Sequence, residues 1–69
     1  MEREPVDSSN IATIGYDVDS ETLEIEFIRG GVYQYFDVPA QIYEDLLSAD
    51  SAGQYLNAHV KGVYRYSKI

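Results

Sequence analysis

The sequence has no cysteine, so neither a disulfide nor a thiolate-bound metal is open to it and packing alone must hold the fold. Long hydrophobic runs are missing as well. Met1-Glu2-Arg3-Glu4-Pro5-Val6-Asp7 lacks the apolar stretch of a secretion signal, and no segment approaches the roughly 20 apolar residues that cross a bilayer. A soluble, cytoplasmic protein with no membrane association is therefore expected. Basic residues are few, 5 Lys and Arg against 12 Asp and Glu, and the net charge of −7 speaks against holding nucleic acid by neutralising many phosphates. His59 is the only histidine and no Ser or Cys nucleophile motif surrounds it, so it reads as structural or surface and no catalytic residue is assigned. With 69 residues the chain holds one modest core, burying about 60% of the surface its unfolded form exposes, which leaves little room for a deep catalytic site.

What charge there is has a pattern. All the acidic residues fall within residues 1 to 50, two basic against 12 acidic for a net of −10, while residues 51 to 69 hold Lys61, Arg65 and Lys68 and no acid. The acidic part reads as a solvated face and the C-terminal end as a small basic island.

Residues 1–9 show no apolar period and read as a partly ordered arm, with a single domain over residues 10–69. Strand character begins at Asn10, where Ala12, Ile14 and Tyr16 alternate onto one face and Thr13 and Gly15 take the other. Asp17 to Glu21 collects turn formers. From Thr22 to Ile28, Leu23, Ile25 and Phe27 point inward and Glu24 and Glu26 outward. At Arg29-Gly30-Gly31 a two-residue loop would align Tyr33 and Tyr35 of the third strand with Glu24 and Glu26 on the solvent face, whereas the favoured three-residue loop places them on the side of Ile25 and Phe27, Gln34 beside Glu26, and Phe36 on the outer face. Val38-Pro39 ends the ladder and opens a helix with Ile42, Tyr43, Leu46 and Leu47 on one stripe. Ser51 and Gln54 have the form of a capping box for a second helix, whose inward face is Ala52, Tyr55, Leu56, His59 and Val60. Gly62 is placed to end it, with Val63 as the apolar contact of the cap. The tail Tyr64 to Ile69 fits either an edge strand or a segment laid across the domain. The fold class is α+β, a three-stranded antiparallel meander followed by two short helices packed on one face.

Taken together, Ser8-Ser9-x-Ile11, Gly15-Tyr16-Asp17, Leu23-x-Ile25-x-Phe27, Tyr33-x-Tyr35, Val38-Pro39, Leu46-Leu47-x-Ala49 and Ser51-x-Gly53-x-Tyr55-x-Asn57 resemble the KTSC domain family, which takes its name from a domain at the C-terminus of some lysyl-tRNA synthetases. Leu56 stands where that family's pattern has Phe. The resemblance implies a small bacterial or phage domain with Tyr-x-Tyr as a hallmark, and a link to RNA.

Asp17-x-Asp19-x-Glu21 has the spacing of a calcium loop's start, but the sixth position is Thr22 and the twelfth Ile28, so a solvated turn is read and neither metal nor cofactor is expected. Arg29-Gly30-Gly31 joins two strands and does not open a helix, which makes it a tight turn and not a phosphate loop. The seven tyrosines carry more information. Tyr16, Tyr33, Tyr35, Tyr43 and Tyr55 fit inward faces, whereas Tyr64 and Tyr66 interleave with Lys61, Arg65 and Lys68 as rings and cations do where single strands are stacked and held. The expected function is a non-catalytic binding module using Tyr33, Tyr35, Lys61, Tyr64, Arg65, Tyr66 and Lys68 toward RNA or an RNA-associated protein. The alternative is a protein-interaction or self-assembly domain using a strand edge or the Phe36 face. A monomer is the default.

Overall fold

The computed structural model describes residues 1–69. Alternation of apolar and polar residues between Ile11 and Tyr35 folds this stretch into three antiparallel strands, and the elements on either side complete the sheet. In chain order these are β1 (Arg3–Pro5), β2 (Ile11–Asp17), β3 (Thr22–Phe27), β4 (Gly31–Tyr35), α1 (Ala40–Ser48), α2 (Ala52–His59) and β5 (Tyr66–Lys68). The sheet has five strands in the order β1-β2-β3-β4-β5, every neighbouring pair antiparallel.

The expected three strands are thus corrected to five. Both additions are three-residue edge strands with every residue exposed, so neither has a buried face to write a period of two into the sequence. β1 comes from the segment read as an arm. β5 settles the tail as an edge strand beside β4, with hydrogen bonds from Phe36 N to Arg65 O and from Ile69 N to Val32 O closing its two ends.

The second hairpin needs a further correction. Its turn is Ile28 to Gly30, and Gly31 already pairs with Phe27. Gln34 consequently faces Glu24 and not Glu26, while Tyr33 and Tyr35 face Ile25 and Leu23. The register moves by two residues, which preserves the facing of every side chain. The positive φ of 81° falls on Gly31, a conformation glycine takes without penalty, and Ile28 leaves the strand with 53% of its surface exposed.

Ile11, Ile14, Leu23, Ile25 and Tyr35 meet Val38, Leu46, Ala52, Leu56 and Val60 in one core between the sheet and the helices. A register shift in β2 between Ile11 and Thr13 turns Ile11 inward beside Ile14, where strict alternation had placed Ala12. Of the α1 stripe only Leu46 is buried; Ile42 and Tyr43 are half-buried and Leu47 is exposed. Tyr16 stacks on Tyr43, their centroids 5.1 Å apart, and donates its hydroxyl to Val38 O, tying the sheet to the entry of α1. Ser51 Oγ accepts from Gln54 N at 3.3 Å and starts α2, and Gly62 follows it with φ 80°. Val63, expected as the apolar contact of the cap, is 62% exposed, and His59, expected on the inward face, is exposed at the end of α2.

The opposite face of the sheet was expected to be wet, yet Glu24 is only 8% exposed. β1 brings Arg3 across it: Nε lies 3.0 Å from Glu24 Oε2 and Nη1 3.6 Å from Glu26 Oε1. Gln34 Nε2 donates to Glu24 Oε1 at 2.9 Å and Thr13 Oγ1 to Glu26 Oε1 at 3.0 Å. Gly15 permits this approach, since a Cβ there would stand 2.7 Å from Arg3 Cγ and 2.9 Å from Glu2 O. No helix is long and apolar enough to cross a membrane.

Candidate functional site

Ile11, Ile14, Leu23, Ile25 and Tyr35 share the core with the helix residues, whereas Tyr33 is half-buried and Tyr66 62% exposed toward the β4–β5 end of the sheet. Strand pairing sets Tyr33 opposite Ile25 and Lys68, and Tyr35 opposite Leu23 and Tyr66, so the rings and the lysine continue the core face outward beyond the helices. There a groove of about 720 Å³ opens between the sheet, the Ile28–Gly30 turn and the end of α2. Phe27, Tyr33, Tyr35 and Tyr66 line it together with Asn10, Arg29, Lys61 and the backbone at Gly30 and Gly62.

The rings pack against each other at steep angles. Phe27 and Tyr33 meet edge to face, 5.6 Å between centroids and 84° between planes. Tyr66 leans on Tyr33 at 5.8 Å and 46° and on Tyr35 at 5.9 Å and 40°. Two ammonium groups lie over these rings, Lys61 Nζ 5.0 Å from the Phe27 centroid and Lys68 Nζ 5.9 Å from that of Tyr33. Lys68 owes its course to Gly31, because a Cβ at that position would come within 3.1 Å of Lys68 Cε. Burial first, and then the neighbouring Tyr33 and Tyr66 phenols, hold the Tyr35 hydroxyl proton above the usual tyrosine range, so this group enters the groove as a neutral donor and acceptor.

Of the residues singled out from sequence, Tyr33, Tyr35, Lys61 and Tyr66 line the groove, and Lys68 reaches it over Tyr33. Arg65 and Tyr64 do not. Arg65 Nη2 is 2.8 Å from Asp37 Oδ2 and its guanidinium lies 5.8 Å from the Phe36 centroid, in a second, smaller groove with Val63 and Tyr64. Tyr64 is half-buried against the core. Sequence reading missed Phe27, Arg29 and Asn10 as groove residues. Phe27 had been taken as core and Arg29 as turn, and only the return of β5 to β4 reveals that they flank the same opening. His59 lies outside the site with its ring 4.5 Å from that of Tyr55. The Asp17 to Glu21 segment is a turn in which Asp17 Oδ1 accepts from Asp19 N at 3.1 Å.

Comparison with known proteins places this geometry in a family. A protein of Tsukamurella paurometabola is 40% identical over 62 residues, 90% of this chain and 92% of its own. One of Stutzerimonas stutzeri is 40% identical over 70 residues, 100% of this chain and 99% of its own. A lysine–tRNA ligase of Nostoc punctiforme is 40% identical over 63 residues, which are 91% of this chain and only 11% of the ligase. The crystal structure of a KTSC domain protein from Yersinia pestis superposes with a TM-score of 0.97 at 43% identity, covering 99% of this chain and 96% of that one. The profile of the KTSC domain matches residues 7–66, and the chain belongs to the KTSC domain family.

Proposed function

We propose that the chain is a small non-catalytic module that binds single-stranded RNA in the aromatic groove. The observation that carries this reading is the meeting of four rings, Phe27, Tyr33, Tyr35 and Tyr66, with three cations, Arg29, Lys61 and Lys68, at one opening of a protein whose net charge is −7. Rings offer base-stacking surface of any sequence, and cations nearby pair with the phosphates between bases. The likeness to part of a lysine–tRNA ligase supports a setting in which RNA is at hand. Arg65 is engaged by Asp37 and serves at most the flank of such a complex. The reading implies a cytoplasmic site of action.

Titration of isotope-labelled protein with single-stranded RNA and with a tRNA pool at low salt tests it. Amide shifts are expected at Phe27 to Tyr35, at Lys61 and at Tyr66 to Lys68, and to fade as salt is added. An unchanged spectrum overturns the nucleic-acid reading.

A second reading rests on β5, whose outer backbone edge pairs with nothing and would accept a strand of another protein or of a second copy. The version that relies on an exposed Phe36 loses its support, because that ring is half-buried beneath Arg65. Strict monomer behaviour at high concentration, measured by sedimentation, removes self-pairing.

A further inference from the structure

A surface that holds a run of bases presents rings whose faces stay free for successive stacking. The groove does otherwise. Phe27 and Tyr33 stand at 84° to each other, and Tyr66 tilts by 46° and 40° against Tyr33 and Tyr35, so the rings occupy one another's faces and enclose one recess. A row of separate platforms is absent. The cations agree with that count. Lys61 lies over Phe27 and Lys68 over Tyr33, on two different rings of the recess, and Arg29 sits at the turn. Of the two remaining basic residues, Arg3 is held on the opposite face by Glu24 and Glu26 and Arg65 is paired with Asp37. A polyanion running past the recess therefore finds no further unpaired Lys or Arg on a chain of net charge −7, which repels it.

Resting on the RNA reading above, we infer that the groove takes one unpaired nucleotide: a single base in the recess and its two flanking phosphates on Lys61 and Lys68. The ligand class is a chain end, bulge or loop nucleotide, and not a single-stranded tract. Asn10, exposed at the groove wall, adds a side-chain amide with both donor and acceptor for a base edge. Tyr35 supplies a neutral hydroxyl at the floor.

The test is a length series with the full chain: a nucleoside bisphosphate, then unstructured RNA oligomers of two, four and eight nucleotides, by chemical-shift titration at several salt concentrations. Affinity per binding site should already be at its plateau with the nucleoside bisphosphate, and log K should fall with log salt with a slope near about −1.4, roughly 0.7 for each of the two phosphates. Tyr66→Ala should weaken the dinucleotide about 5- to 100-fold, the value of one stacked base, with an unchanged circular dichroism spectrum. Affinity per site that keeps climbing to eight nucleotides, or a slope steeper than about −4, overturns the single-nucleotide inference and leaves the RNA reading in place. Absence of shifts with every oligomer overturns both.

Discussion

The two faces of the sheet are built from the same alternating strands and treat charge in opposite ways. On the face crossed by β1, Arg3, Glu24, Glu26, Gln34 and Thr13 satisfy one another, with separations of 2.9 to 3.6 Å, so the polar groups are consumed in holding the edge strand down. At the β4–β5 end of the other face, Lys61 and Lys68 rest on aromatic rings with no carboxylate within ion-pair distance. Charge matched inside the molecule serves the fold. Charge left over a ring remains free to meet a partner, and this separates the groove from the rest of an acidic surface.

That contrast predicts which substitutions move stability and which move binding. The largest effect belongs to neither surface. Ile25→Ala opens the fully buried centre beneath both and should remove about 2–5 kcal/mol, most of the stability of a domain of this length. Urea titration measures it, and a loss below about 1 kcal/mol would mean the two surfaces do not share one core. Next is Gly15→Ala, whose new Cβ collides with Arg3 Cγ and Glu2 O. It should displace β1 at a loss of about 1–3 kcal/mol and leave RNA affinity unchanged. Weakened RNA binding in a folded Gly15→Ala protein would show that the faces are coupled.

Smaller again is the response to alkali. Burial leads the causes that raise the Tyr16, Tyr35, Tyr43 and Tyr55 hydroxyls above the usual tyrosine range, followed by acidic neighbours at Tyr16, Tyr43 and Tyr55 and by other phenols at Tyr35. The folded chain keeps these protons longer than the unfolded chain does. Their stabilising contribution is complete below a pH of about 10 and declines as pH climbs through the folded values. Tyrosinate absorbance against pH should therefore lag in folded protein relative to urea-unfolded protein, and superimposable curves would contradict the burial argument. The smallest stability effects are expected at the groove: Lys61→Ala and Lys68→Ala should each shift stability by less than about 0.5 kcal/mol while each removes about 0.7 from the salt slope of RNA binding.

The sequence made legible whatever has one buried and one wet face. Leu23, Ile25 and Phe27 against Glu24 and Glu26 mark β3, Pro39 marks the start of α1, and Ser51 marks the start of α2. The hairpin register was not legible, because Gly30 and Gly31 are adjacent and either serves a turn; only the fold shows that the positive φ belongs to Gly31. β1 was hidden because its stability lies in a cross-sheet ion pair, Arg3 with Glu24, that no local pattern records. The basic, tyrosine-bearing tail pointed to Lys61, Tyr66 and Lys68. Its junction with Phe27 and Arg29 depends on a strand pairing that spans both helices.

That pairing joins ligand binding to order at the C-terminus. β5 is a three-residue edge strand, entirely exposed, yet it supplies Tyr66 and Lys68, one whole side of the groove. Strands of this kind open at far lower free energy than a core sheet. The site can therefore vanish and reform while Ile14, Leu23 and Ile25 stay packed, and whatever the groove holds must pull the tail closed behind it. Amide exchange across β4 and β5 is then the ledger in which occupancy is written, with β2 and β3 as its silent control.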